Sequence, residues 1–416
     1  MGSVLKSRFR PRRRTHGFVL VTVVVSTVAM LACIGLGVDV GYLQLVKSRM
    51  QTAADAAALG GVQEKKQNGS AHVVDAAKAD AGLNQFTDGQ NSVIVTVNNP
   101  PASGFYTSDP SSVEVLISQN VGTLFMGVLG FTSVTVRTRS VARQGAGSGC
   151  LYVLDKSVSS AFLIDGGATV VVNCGITVAS TSSTGLIDTG GAHLTATSIN
   201  VAGSYQLTGG ASINPTPVTH VVPDGDPLAY LTPPVWATCG YTGWSTGNGI
   251  DKAITPGVYC GGIDISGGST VTMSPGAYIL VGGGLTVSNG AKLNGTGVTF
   301  YITYDATHPY LPITLNGGTT LHLSAPTTGP LAGILFYQNP SIASPPASTF
   351  SNGTTLFFDG ALYFPTSAVS YSGGAASNYT IIVAKTISFS GGTTVNSNYA
   401  SLPGGSPVKG NASLSE

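Results

Sequence analysis

The sequence predicts a mainly β protein with an N-terminal transmembrane helix. A small α+β domain follows, and then a Gly-rich domain of the parallel β-helix type or, alternatively, a β-sandwich. Three observations predict this. An uncharged apolar run of 21 residues stands near the N-terminus. Helical and strand periodicities then share the chain up to about residue 143. Beyond Cys150, short runs rich in Val, Ile and Thr alternate with a recurrent Gly-Gly turn.

The apolar run, FVLVTVVVSTVAMLACIGLGV, covers residues 18–38. A helix of that length spans roughly 30 Å, the thickness of a bilayer core. It exceeds the apolar region of about 7–15 residues of a secretory signal and is followed by no small-x-small site, so it reads as an uncleaved single-pass anchor. Lys6, Arg8, Arg10, Arg12, Arg13 and Arg14 precede it with no acid among them. An excess of basic residues marks the cytoplasmic side, which puts the tail, residues 1–16, inside and everything after Asp39 outside. Asp39 either marks where the helix leaves lipid or pairs with a positive group on a neighbouring subunit.

Helical spacing continues past the membrane in Leu43, Val46, Met50, Ala53 and Ala57, with Lys47, Arg49 and Asp55 mainly elsewhere on the wheel. Gly60 and Gly61 are the expected terminators. One helix over residues 18–59, within a transmembrane-plus-stem region of 17–61, would be some 60 Å long. Its outer part contains MQTAADAAALGG. Alanine has the best helix propensity, and its small side chain lets another backbone approach closely. Two surfaces can exploit that, the protein's own domain or a neighbouring protein's helix. On the second reading Ala53, Ala54, Asp55 and Ala57, together with Asp39, are candidate partner-binding residues.

Residues 62–143 read as the small α+β domain. After the polar break QEKKQNGS, a second helix is expected over 71–86 and strands over 92–97, 113–117 and 133–141, with a short helix at 123–129. QGAGSG, residues 144–149, is the expected linker. The Gly-rich domain is placed at 150–404. Turns such as IDGGATVVV, DTGGAHLTA, DISGGSTVTM and LNGGTTLHL recur at roughly 18–27 residues, near one coil of a β-helix. The Pro-rich stretch 215–255 interrupts them as an excursion, and residues 405–416 read as a disordered tail. Cys33 lies in the span, and Cys150, Cys174, Cys239 and Cys260 lie on the outer side. Four cysteines allow three pairings. The local ones, Cys150 with Cys174 and Cys239 with Cys260, close loops of about 20–25 residues, each contributing on the order of 3 kcal/mol. A metal site would call for CxxC spacing or neighbouring histidines, and neither is present.

Charged residues make up only 9% of the chain, against about a quarter in ordinary globular proteins. No arginine follows Arg143, so the large C-terminal part lacks the basic stripes that nucleic-acid binding requires. Asp224 and Asp226 in PDGDP are turn formers before they are a catalytic pair. The outer-side histidines His72, His193, His220, His308 and His322 are scattered, and there is no P-loop or dinucleotide fingerprint. No catalytic residue and no cofactor are expected.

The basic N-terminus, Gly17 before the span, and the run GVDVGYLQLVKSRMQTAADAAALGG resemble the N-terminal segment of the TadG-like Flp pilus-assembly proteins of the bacterial tight-adherence (Tad) system. The likeness covers residues 17–61. Residues 71–143 resemble the extension common in these proteins, and the Gly-rich remainder looks like the β-rich C-terminal region of some members. The resemblance implies a structural or assembly component of a Tad/Flp pilus apparatus and not an enzyme. It implies a single pass through the bacterial inner membrane, with the C-terminal domains periplasmic or extracellular and other pilus-assembly proteins contacted through the stem. Two departures bear on it. Processed pilins carry a glutamate at the fifth position after the cleaved glycine, where this chain has Thr22, in keeping with an uncleaved anchor. Some members carry a von Willebrand A domain with an Asp-x-Ser-x-Ser metal motif. Asp155, Ser157 and Ser159 reproduce that spacing after LYVL, but Gly-rich β sequence follows instead of alternating helices and strands. Two other functions fit a tethered β-helix: a carbohydrate-active enzyme, which needs clustered acids or bases along a groove, and a pilus-independent adhesin with a glycan or other surface ligand.

Overall fold

The computed structural model describes residues 16–146, 149–222, 225–247, 249–350, 355–372 and 377–415. The chain forms two compact units, Met1–Arg143 with Ala412–Glu416, and Gln144–Asn411.

The first unit is built on helix α1, His16–Asn68, 53 residues long. Its stretch Val19–Lys66 is long and apolar enough to cross a membrane, and every residue from 19 to 34 is exposed. The helix does not stop at Gly60 and Gly61, where an end was expected. It passes through both, because helix α2, Val73–Leu83, packs so close that their missing side chains leave room for it. A Cβ on Gly60 would collide with the Asp80 carboxylate, and one on Gly61 would lie 3.1 Å from Val113 and 3.4 Å from Ala77. Close approach therefore explains these glycines better than capping does.

Three antiparallel strands follow, β1 (Val93–Asn98), β2 (Ser112–Gly122) and β3 (Ser133–Ala146). Val95 faces Ile117, and Ile117 faces Thr138. The period of two puts Val93, Val95, Val113, Val115 and Ile117 in one core with Met50, Ala53, Ala57, Val62 and Ala77 from the helices. Two expectations fail at the strand ends. Residues 144–149, expected as a linker, are largely taken up by β3 and the strand Gly149–Val153. The end of the chain, expected as a disordered tail, forms the strand Lys409–Leu414, which lies beside β3 as the fourth of the sheet. Ser415 N–H donates to the Val141 carbonyl at 2.8 Å. Without that strand β3 would present an open row of unpaired amides and carbonyls.

The second unit is a solenoid of parallel strands, which removes the sandwich alternative. Tyr278 pairs with Phe300, Phe300 with Phe336, and Phe336 with Leu362, each one coil further on. Each coil turns at a corner where glycines with positive φ stack. Gly268 N–H donates to Asn289 O at 2.9 Å, and Gly290 N–H to Gly317 O at 2.8 Å. Their positive φ, which L side chains rarely adopt, is why the turn recurs in sequence. Inside, aromatic rings follow the stack from Tyr259 through Tyr278 and Phe300 to Phe336, with centroids 5.1–5.9 Å apart.

The coils are not stacked in chain order. Strand Thr380–Phe389 pairs on one side with Thr355–Tyr371 and on the other with the first strands of the unit, Ile382 against Leu151 and Phe389 against Ile164. The chain therefore enters the solenoid in its middle and winds to one end near Thr219. It then returns to the far end, where Tyr241 pairs with Tyr259. At the usual 4.7–4.9 Å between strands the return covers on the order of 50 Å. The Pro-rich excursion is this return strap. Leu228 and Leu231 are buried along it, Tyr363 Oη donates to Asp226 at 2.6 Å, and Tyr337 Oη donates to Leu231 O at 2.9 Å.

Candidate functional site

The alanine stem turns inward. Ala53, Ala54, Ala57 and Ala58 are fully buried against α2 and the sheet, so the close approach that alanine permits is made to the protein's own domain. Asp55 accepts a hydrogen bond from Gln51 Nε2 at 2.8 Å, and Gln51 also reaches Arg139 O at 3.1 Å. Exposed positions lie on another face of α1, at Val38, Tyr42, Leu45, Arg49 and Thr52. Of the two surfaces the sequence left open for the alanines, this conformation uses the protein's own domain, and Ala53, Ala54 and Ala57 do not reach the surface of the stem.

Asp39 is buried, and its partners belong to the same chain. Its carboxylate accepts backbone N–H groups from Leu124 at 3.0 Å, Phe125 at 2.8 Å and Met126 at 2.6 Å. These open the short 3-10 helix Met126–Leu129, whose first amides have no partner within the helix and attract a negative charge. Some 85 residues of sequence separate donor from acceptor, so periodicity had no means of finding the pair.

A second carboxylate went unnoticed in the sequence. Glu114, on β2, is buried and accepts from Asn98 Nδ2 at 2.7 Å, Ala102 N–H at 3.1 Å, Ser103 Oγ at 2.7 Å and Arg139 Nε at 2.6 Å. Burial alone would raise its pKa. The hydrogen bonds from Asn98, Ser103, Arg139 and Ala102 outweigh it and hold the carboxyl at about 2. The network pins the loop between β1 and β2, a structural task.

In the solenoid the groups singled out for chemistry are occupied elsewhere. Asp155 accepts the amides of Ser157 at 2.9 Å and Val158 at 2.8 Å, the bonding of a turn, while Ser159 Oγ pairs with Thr184 Oγ1. Asp226 holds the return strap, and Asp224 lies outside the described residues. His193, His220 and His322 sit apart, against Ser212, Thr219 and Phe357, while His308 lies beside Asp305 and within 4.8 Å of the sulfurs of Cys239 and Cys260, a neighbouring histidine the sequence did not reveal, with both sulfurs taken up by their disulfide. Asp188 is fully buried, and burial pushes its pKa up to about 6 against the pull of His193 and the Thr189 amide. An open cleft is lined by Asn173, Ser377, Asn378, Asn396, Ser397 and Asn398, uncharged groups that can hydrogen-bond a ligand; none is a carboxylate, an imidazole or an amine. Both local disulfides are formed, Cys150 to Cys174 and Cys239 to Cys260, with Cα atoms 5.8 and 5.6 Å apart. Cys33 is free and exposed.

Comparison with known families follows the same division. Residues 17–64 match the family described as "Putative Flp pilus-assembly TadE/G-like", and residues 44–142 match the one described as "Putative Tad-like Flp pilus-assembly". Over residues 17–142 the chain is similar to these Tad families, and this region is its Tad-type module. The matches end at residue 142, beside the division of the chain after Arg143. No curated protein and no solved structure matches the chain. Within the Tad-type module the first match covers the apolar helix and the alanine stem. The second covers α2, the three-stranded meander and residues 124–126, whose amides hold Asp39.

Proposed function

We propose that the protein is a membrane-anchored structural component of a Tad/Flp pilus-assembly apparatus in the bacterial inner membrane, without catalytic turnover. The observation that carries this reading is the pair of family matches, which together run from residue 17 to 142. α1 is the single-pass anchor, with the basic residues 6–14 cytoplasmic and both units outside. Two disulfides in the solenoid support an oxidising compartment on that side. Other pilus-assembly proteins contact the exposed ridge of α1, and the charge-poor solenoid projects as a structural or adhesive element.

Site-specific photo-crosslinking in cells tests the reading, with a photo-reactive residue placed in turn at Tyr42, Leu45 and Thr52. Adducts to pilus or pseudopilin subunits are the expected result. Adducts to lipid or solvent alone at all three positions, in cells assembling pili, would remove the partner role. Protease added from the periplasmic side checks orientation: digestion of residues 1–16 instead of the solenoid would reverse it.

A further inference from the structure

The loop between β2 and β3 is TLFMGVLGFT, residues 123–132, which contains no charged residue. Leu124 is 75% exposed, Val128 86%, Leu129 63% and Phe131 62%. Four large apolar side chains on one short loop form a patch that a soluble surface rarely presents. The loop is not slack. Thr123 N–H donates to Thr132 O at 3.1 Å across its base, Gly130 closes its 3-10 helix with positive φ, and three of its amides are held by Asp39.

Its position along α1 identifies what covers it. Asp39 is the first residue beyond the apolar run, and Phe125 reaches back to Gly35, where a Cβ would lie 2.6 Å from the ring. Four residues of helix correspond to about 6 Å, so the loop reaches below the level at which α1 leaves the apolar run. The missing side chain of Gly35 leaves room for the ring against the helix, and Asp39 fixes the loop's height.

We propose that residues 123–132 are a second membrane contact, with Leu124, Val128, Leu129 and Phe131 immersed in the interfacial layer of the leaflet from which α1 emerges. The argument rests on the anchor reading of α1. An uncharged loop with aromatic and aliphatic side chains suits the glycerol and upper acyl region, to a depth of about 5–10 Å, and requires no particular headgroup. With two contacts, the Tad-type module is held at a set tilt and height on the membrane, which a single helix does not impose.

The test uses the full chain in phosphatidylcholine vesicles whose acyl chains carry bromine near the glycerol end, to read positions 128, 131 and 105, and in a parallel sample near the methyl end, to read position 28 at the centre of the span. Tryptophan is introduced singly as Val128→Trp, Phe131→Trp, Val28→Trp or Phe105→Trp, and the emission of Trp236 and Trp244 in the parent is subtracted. Phe105 belongs to the loop at the opposite end of β2, roughly 35 Å away for an 11-residue strand. Val28→Trp, Val128→Trp and Phe131→Trp are expected to lose most of their emission to bromine, and Phe105→Trp to keep it. Adding Asp39→Ala is expected to reduce the quenching at position 128 while leaving that at 28 unchanged. Quenching at 28 without quenching at 128 and 131 overturns the loop contact and leaves the anchor standing. Absence of quenching at 28 overturns the anchor, and the loop contact with it. A blue-shifted but unquenched tryptophan at 128 means that protein, and not lipid, covers the loop, which overturns the lipid assignment.

Discussion

The first unit keeps charges and pairs them with designated partners, whereas the solenoid carries few of them. Glu114 with Arg139, Lys78 with Asp88, and Arg143 with Asp109 each tie a loop or helix to the sheet of the first unit. In the solenoid the same work falls to stacked aromatic rings, corner glycines and two disulfides. The contrast follows from geometry. A single sheet covered by helices has irregular loops whose backbone groups need individual partners, while each solenoid coil satisfies the next by repetition. Acid therefore weakens the first unit, whereas the solenoid depends mainly on packing and redox state and loses stability in the opposite direction, as Asp188 ionises.

The largest effect is expected from breaking the ring stack. Phe336→Ala should destabilise the solenoid by about 3–5 kcal/mol. Denaturant unfolding followed by tryptophan emission reads this unit alone, since both tryptophans, Trp236 and Trp244, lie in it. An unchanged midpoint would mean the stack adds nothing beyond its neighbours. Next in size is the bridge between adjacent coils. Replacing Cys150 and Cys174 together by Ser should cost about 3 kcal/mol for a loop of this length. Reductant, which opens both bridges, should lower the tryptophan-detected midpoint of the parent by more than that double substitution does and leave the Tad-type module's helical signal in place.

Acid should act on the other unit. Glu114's carboxyl is held at about 2 against an ordinary value of 4.5. Its contribution is fully present above pH 4.5 and is lost as pH falls through about 2, a difference of about 3 kcal/mol at 1.4 kcal/mol per pH unit. Glu114→Gln should lower stability at pH 7 and flatten the acid limb, measured by circular dichroism of the helices. An acid limb identical to the parent's would sink the assignment. The smallest change runs the opposite way. Asp188 titrates at about 6, so the fold binds its proton more tightly than the unfolded chain does, and the carboxylate destabilises the solenoid as pH rises through 6. Asp188→Asn should raise the tryptophan-detected midpoint at pH 8 by the equivalent of about 1–3 kcal/mol and change little at pH 4.

Local features were legible in the sequence to within a few residues. Helix α2 was expected over 71–86 and spans Val73–Leu83, and β1 was expected over 92–97 and spans Val93–Asn98. The Gly-Gly turns marked the coil corners, and both local cysteine pairings are formed. The misses share one character. Gly60 and Gly61 carry the same letters whether they end a helix or admit a neighbour, and only Asp80, Ala77 and Val113 decide between the two. Residues 405–416 are polar enough to read as a tail, yet their backbone completes a sheet whose other strands lie far earlier in the chain. The alanines of the stem predicted close approach correctly in kind, but not which surface approaches.

By itself the sequence determined what each segment is able to be: an apolar helix of spanning length, an alanine-rich stem, strands of period two, and corners that only glycine turns easily. These follow from the sterics and solvation of neighbouring residues. Tertiary structure alone decided which surfaces meet: that the solenoid is entered in its middle and closed by a strap, that Asp39 holds a loop from 85 residues away, and that Glu114 gathers four donors. Such contacts join segments whose local preferences are already satisfied, so the choice rests on burial and hydrogen-bond complementarity that appear only when the chain is folded.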